Sequence, residues 1–155
     1  MADAQDMKRA QDTFATLCRT LDGESWKYDK DEENLTIECG AQGEDLPMPI
    51  TIRVRPDRQL VWLLSYLPFE VPEEKRLEVA AAVSIVNFRL INGNFEYNIK
   101  NGRLYFRMSN SFIDSTLSPE TFKYMLYCSC ATIDDYNDKF EALAKGQRTV
   151  EAFIK

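Results

Sequence analysis

The 155-residue chain contains no histidine. That absence removes the commonest general base, the commonest metal ligand and every Ser-His or Cys-His nucleophile pair. Acid–base work would fall to carboxylates, and these do not gather. Asp29, Asp31, Glu32 and Glu33 lack the spacing of a calcium loop. Asp134 and Asp135 are neighbours on a predicted helix and point different ways, so both groups are expected on solvated faces. Gly40-Ala41-Gln42-Gly43 is too short for a phosphate loop and lacks its lysine. No catalytic residue, metal or cofactor is expected, and the chain reads as a non-enzyme.

Cysteine is scarce, and Cys18, Cys39, Cys128 and Cys130 show no framework spacing. Two residues apart on a helix, Cys128 and Cys130 diverge by ~200° and cannot grip one metal together. Free, buried thiols in a reducing, cytoplasmic setting are expected. Long apolar runs are missing as well: Leu60–Leu64 and Val79–Val83 fall far short of the ~20 residues of a membrane helix. Residues 1–7 lack the basic start and apolar core of a signal peptide. A basic surplus is also absent. The net charge of −6 opposes non-specific attraction to nucleic acid or anionic lipid. With no linker, repeat or low-complexity tract, residues 1–155 read as a single domain.

What is present is periodicity. Met7, Ala10, Phe14, Leu17 and Leu21 recur at helical spacing, which predicts a helix over 5–21. Asp22-Gly23 should end it, with the glycine left-handed. A brief strand over Trp26–Tyr28 and a charged turn over 30–34 follow. Leu35, Ile37 and Cys39 then alternate with polar residues, as do Ile50, Ile52 and Val54. The segment 59–67 is apolar on both parities, with Leu60, Trp62, Leu64 and Tyr66 on one side and Val61, Leu63, Ser65 and Leu67 on the other. Such a strand is covered on both faces or offers one to a partner.

Val71-Pro72-Glu73-Glu74 predicts a second helix, with proline at its first position. Leu77, Ala80, Ala81, Ser84, Phe88 and Ile91 line one face, and the small Ala80–Ala82 run lets this helix sit close to a neighbour. Asn101-Gly102 predicts a hairpin joining a strand with Phe95, Tyr97 and Ile99 to a return strand with Leu104, Phe106 and Met108. Ser118-Pro119 starts a long helix whose stripe (Phe122, Leu126, Ser129, Ile133, Tyr136, Phe140, Leu143) is expected to pack on the sheet, with a helix-to-helix seam against another chain as the alternative. The order α-β-β-β(-β)-α-β-β-α predicts an α+β fold with an antiparallel sheet flanked by helices.

The string from Leu64-Ser65-Tyr66-Leu67-Pro68-Phe69-Glu70 through Val71-Pro72-Glu73-Glu74-Lys75-Arg76 leads into an alanine-rich helix with Asn87. It continues through Leu90-Ile91-Asn92-Gly93-Asn94-Phe95-Glu96, the strand Gly102–Arg107, and a helix with Asp134-Asp135-Tyr136 and Phe140. Over nearly the whole chain this resembles the YbjN-like domain family of bacterial sensory transduction regulators. The resemblance implies the fold of type III secretion chaperones, no cofactor, and a role by analogy with those chaperones, which are usually dimers that wrap an extended partner segment. Its motifs are structural, so no catalytic residue carries over.

One parity of the sheet is the main candidate surface. If Ile52, Val54, Leu104 and Phe106 face the helices, then Arg53, Arg55, Tyr105 and Arg107 face away, joined by Trp62, Leu64 and Tyr66 if the central strand is in register. Arginine with aromatics is the composition of protein hot spots. A protein partner, with a homodimer also open, is therefore favoured over the alternative of a small-ligand or nucleic-acid binding sensory module. The Trp26–Tyr28 strand is expected to be an edge guarded by Lys27, Asp29 and Lys30. Asn87 is expected to be a buried amide tying helix to sheet.

Overall fold

Period-two alternation builds the centre of the structure. The computed structural model describes residues 2–154. Six antiparallel strands form one sheet: β1 (Tyr28–Asp31), β2 (Thr36–Gln42), β3 (Pro47–Arg55), β4 (Leu60–Glu70), β5 (Asn94–Asn98) and β6 (Arg103–Ser111). Their spatial order is β1-β2-β3-β4-β6-β5. The two hydrophobic parities of β4 are thereby given the central position, with β3 on one side and β6 on the other.

Three helices, α1 (Ala4–Gly23), α2 (Arg76–Arg89) and α3 (Pro119–Ala144), lie on one face of this sheet. Helix α3 crosses β4 and β6, α1 lies on β3, α2 lies on β5, and both α1 and α2 touch α3. Side chains of one parity fill the space between the layers: Ile37, Ile52, Val61, Leu63, Leu104 and Phe106 are buried, as are Phe122, Ile133 and Phe140 of α3. The ring of Phe95 meets Phe106 and Phe140 edge-on, each with centroids 5.1 Å apart. The stripe expected on α3 is therefore the one that packs on the sheet, Tyr136 being only half-buried.

Local chemistry sets the element ends. Asp3 caps α1 by accepting from the Asp6 N–H at 2.8 Å, and Ser118 caps α3 by accepting from the Thr121 N–H at 3.1 Å, so each satisfies a donor the first turn leaves free. Gly102 closes the β5–β6 hairpin at φ +74°, where a Cβ would also lie 2.3 Å from the Val71 carbonyl oxygen, so glycine is required twice over. On β4, pairing with β6 shifts between Tyr66 and Glu70. Pro68, which has no N–H to give a ladder, occupies this irregular stretch.

Four local expectations are corrected. The first strand runs over Tyr28–Asp31, not Trp26–Tyr28. Its turn is organised by the Asp31 carboxylate, which accepts from the Glu33 and Asn34 N–H groups at 3.0 Å each and so replaces the next ladder bonds. At the end of α1, Ser25 rather than Gly23 adopts a positive φ, since the helix continues through Gly23. Pro72 precedes a single 3-10 turn, Glu73–Lys75, and α2 starts only at Arg76.

The fourth concerns Asp134, which is not on a solvated face. It accepts from the Glu44 N–H at 2.8 Å, pinning the β2–β3 turn to α3. A Cβ on Gly43 would lie 2.2 Å from the same carboxylate oxygen. Asp135, its neighbour, is exposed as expected.

Helix α2 is apolar nearly all round, and its packed side is not the stripe that the spacing picks out. Val79, Ala82, Val83 and Val86 are buried. Leu77, Ala81, Ser84, Phe88 and Ile91 face outward. When two faces of a helix are both apolar, period alone does not say which one meets the core.

Candidate functional site on the outer face of the sheet

With all helices on one side, the other face of the sheet is left without a covering layer, and register decides what it displays. Thr36 lies opposite Arg53, which lies opposite Trp62, which lies opposite Ser109. One rung further along the sheet, Glu38, Thr51, Leu64, Arg107 and Asn94 form a row across five strands. Tyr66, Tyr105 and Glu96 form the next. Arg53, Arg55, Trp62, Leu64, Tyr66, Tyr105 and Arg107, the seven residues selected from parity, thus share one surface. The central strand offers its second apolar parity outward. Val61, Leu63, Ser65 and Leu67 are buried under the helices, whereas Leu60, Trp62, Leu64 and Tyr66 are only half-buried.

These side chains brace one another. The Arg55 guanidinium sits 4.8 Å from the centre of the Trp62 ring, a cation–π contact. It also donates through Nε and Nη2 to the two carboxylate oxygens of Asp57 at 3.0 and 2.9 Å. That bidentate grip, more than the neighbouring Arg58, holds the Asp57 carboxyl below the usual range. The Tyr66 and Tyr105 rings are tilted together with centroids 5.5 Å apart. Tyr105 donates its hydroxyl to Glu96, which also receives Arg107. Burial first, and then the bond to Glu96, push the Tyr105 phenol up to about 12, so the hydroxyl stays a donor at any physiological pH. Thr51 donates to Glu38 at 2.7 Å. Among the described residues Arg53 makes no ion pair and is exposed.

Glu38, Thr51 and Glu96 belong to this face although parity reasoning did not select them. The signal for Glu96 is in the hairpin: a turn at Asn101-Gly102 that pairs Asn98 with Arg103 sets Glu96 opposite Tyr105 by counting in twos.

The edges of the sheet differ. On β5 the Asn87 side chain of α2 accepts from the Phe95 N–H at 2.8 Å and donates to the Phe95 carbonyl at 2.9 Å. It takes the place of a neighbouring strand at that position, so the edge is blocked there. The other edge, β1, carries exposed Asp29, Lys30 and Asp31.

Two of the thiols, Cys39 and Cys130, are chemically quiet. All four cysteines are free. Burial, followed by the nearby Cys130 and Glu38, pushes Cys39 up to about 12, and burial followed by Asp134 pushes Cys130 to about 11. Such thiols carry almost no thiolate at neutral pH. A groove between α1 and the first hairpin is lined by Phe14, Cys18, Asp22, Tyr28, Lys30 and Leu35. Within it, Tyr28 donates to Asp22 at 3.0 Å and Lys30 pairs with Glu32 at 2.6 Å. Among the described residues, no helix is long and apolar enough to cross a membrane.

An antiparallel sheet with its helices on one face and a bare, arginine- and aromatic-bearing surface on the other defines an α+β protein. The chain belongs to the YbjN family, described as "Putative bacterial sensory transduction regulator", whose profile matches residues 13–142. Two solved structures share the fold. The crystal structure of YbjN from E. coli, titled "a putative transcription regulator", has a TM-score of 0.61 at 18% identity, covering 85% of this chain and 92% of that one. The HopA1-SchA chaperone-effector complex has a TM-score of 0.56 at 15% identity, covering 85% of this chain and 97% of the matched chain. Comparison with curated proteins finds no sequence match.

Proposed function

We propose that this protein is a non-catalytic, cytoplasmic protein-binding module, chaperone-like or regulatory, that acts as one domain and holds a segment of a partner protein against the outer face of its sheet. The observation that carries this reading is the uncovered half-apolar parity of β4 flanked by arginines, with Trp62 under Arg55 and Tyr66 against Tyr105. Large rings held rigid by their neighbours lose little freedom on binding, which is why Trp, Tyr and Arg concentrate binding energy. The family, and a fold shared with a chaperone-effector complex, support the same assignment.

A protein segment suits this surface better than nucleic acid does. Two of its arginines are held by carboxylates, Arg55 by Asp57 and Arg107 by Glu96, and Glu38 adds a further exposed acid. A phosphate backbone needs free cations in a positive groove. The test is capture from native lysate by immobilised protein, quantified by mass spectrometry, beside the Arg55→Ala/Trp62→Ala variant. A defined set of proteins should be lost from the variant while its melting temperature is kept. An unchanged captured set would overturn the reading.

A further inference from the structure

We infer that Arg53 selects the partner of the outer sheet face, and that the occupant is an amphipathic helix of another protein with a carboxylate on the flank of its apolar stripe. The inference rests on the sheet-face reading above and gives that partner a shape and a charge.

Shape follows from the backbone. Strand β4 pairs with β3 on one side and β6 on the other, so its N–H and C=O groups are taken up by two ladders. A segment lying over this face finds no backbone to pair with and must satisfy its own donors and acceptors. A helix does so within itself. The outward side chains of β4 form a half-buried column of Leu60, Trp62, Leu64 and Tyr66. From Leu60 to Tyr66 the column runs about 20 Å, the length of about 13 helical residues. The inner parity of the same strand already has this arrangement, with α3 laid across β4 and β6. A strand that is apolar on both parities takes a layer on each.

Charge follows from which arginine is free. Arg55 is gripped by both carboxylate oxygens of Asp57 at 3.0 and 2.9 Å, and Arg107 is paired with Glu96. Arg53 is exposed and belongs to no ion pair among the described residues. Glu38, one rung away on β2, is turned to Thr51, whose hydroxyl donates to it at 2.7 Å. The free guanidinium therefore stands in the middle of the sheet, between Thr36 and Trp62.

The two sides of the β4 column are unlike. A helix with its side chains is about 10–12 Å across, and neighbouring strands are about 4.8 Å apart. A helix seated on β4 thus overhangs both β3 and β6. On the β3 side its flank meets Arg53 beside Trp62. On the β6 side, Ser109 and Ser111 stand opposite Trp62 and Leu60 and offer hydroxyls in place of charge. A carboxylate is matched on the first flank only, so the charge fixes which way round the helix lies. The net charge of −6 repels such a partner from the rest of the surface.

The test is fluorescence anisotropy of the purified chain with labelled, alanine-rich peptides of about 16 residues, long enough to be helical. All carry the same Leu/Trp stripe, flanked on one side by Glu, Gln or Lys. The Glu peptide should bind about three- to tenfold more tightly than the Gln peptide, the Lys peptide should bind least, and high salt should flatten the order. Arg53→Gln should remove the difference between Glu and Gln. Arg53→Glu should put the Lys peptide first, with an unchanged melting temperature because the side chain is exposed. A Glu peptide interrupted by a central proline should bind about tenfold more weakly or worse. Arg55→Ala/Trp62→Ala should lose every peptide, which reports on the sheet-face reading itself. Equal binding of the Glu and Lys peptides, still abolished in that double variant, would overturn the inference and leave the sheet-face reading standing. Binding of the proline peptide as tight as that of its helical parent would overturn the inference, as would failure of every peptide to bind the wild type.

Discussion

The outer face of the sheet and the outer face of α2 both present apolar side chains with no covering layer, yet they are built differently. On the sheet the rings are escorted: Arg55 covers Trp62, Tyr66 leans on Tyr105, and Tyr105 is tied to Glu96 beside Arg107. On α2, Leu77 and Phe88 stand bare with Ala81 and Ser84 between them, and Ile91 stands bare just past the helix end. A surface of escorted rings tolerates water and can release what it binds, as transient interfaces do. A bare aliphatic and phenyl stripe has no such escort. The molecule therefore carries one apolar surface braced by polar side chains and one left bare.

Asn87→Ala should have the largest effect on stability, because it strikes the joint between α2 and the sheet. It leaves the Phe95 N–H and carbonyl without their partner and should cost about 1–3 kcal/mol, read as a lower urea midpoint. It should also increase aggregation, by exposing a free strand edge.

Arg55→Ala/Trp62→Ala should lower partner capture by about ten- to hundredfold while stability stays within about 1 kcal/mol. A variant joining these substitutions to Asn87→Ala should show the loss of capture and the loss of stability independently, because the sites share no contacts.

The smallest effect concerns Tyr105. Its folded pKa is raised above that of a free phenol, so the stabilisation it brings is complete below about pH 10 and is lost as pH rises through about 12. Tyr105→Phe should remove one late-titrating phenol from the tyrosinate absorbance curve, and should leave stability at neutral pH within a few tenths of a kcal/mol beyond the lost hydrogen bond of about 1 kcal/mol.

Much of the site was legible before any coordinates. Alternation assigned Arg53, Arg55, Tyr105 and Arg107 to one parity, and the hairpin at Asn101-Gly102 could have added Glu96. The double parity of 60–67 marked a central strand with something to offer outward. Asn87 was correctly read as a tie between helix and sheet, though not as a stand-in for a strand. Asp134 was misread because a turn held from 90 residues away leaves no local trace. The first strand was displaced because Trp26 and Tyr28 look like strand residues, while the ladder is carried by the charged Asp29–Asp31.

The sequence by itself determined the elements, their alternation and the chemistry that is missing, because periods of two and 3.6 and the capping residues are properties of neighbours along the chain. It also determined that α2 has two apolar faces. Only the tertiary structure decided which of those faces the sheet would cover, and that all three helices would lie on one side of the sheet so that Trp62 and its arginines remained open. These are choices of packing between distant segments, where several arrangements satisfy the same pattern and the total buried area selects among them.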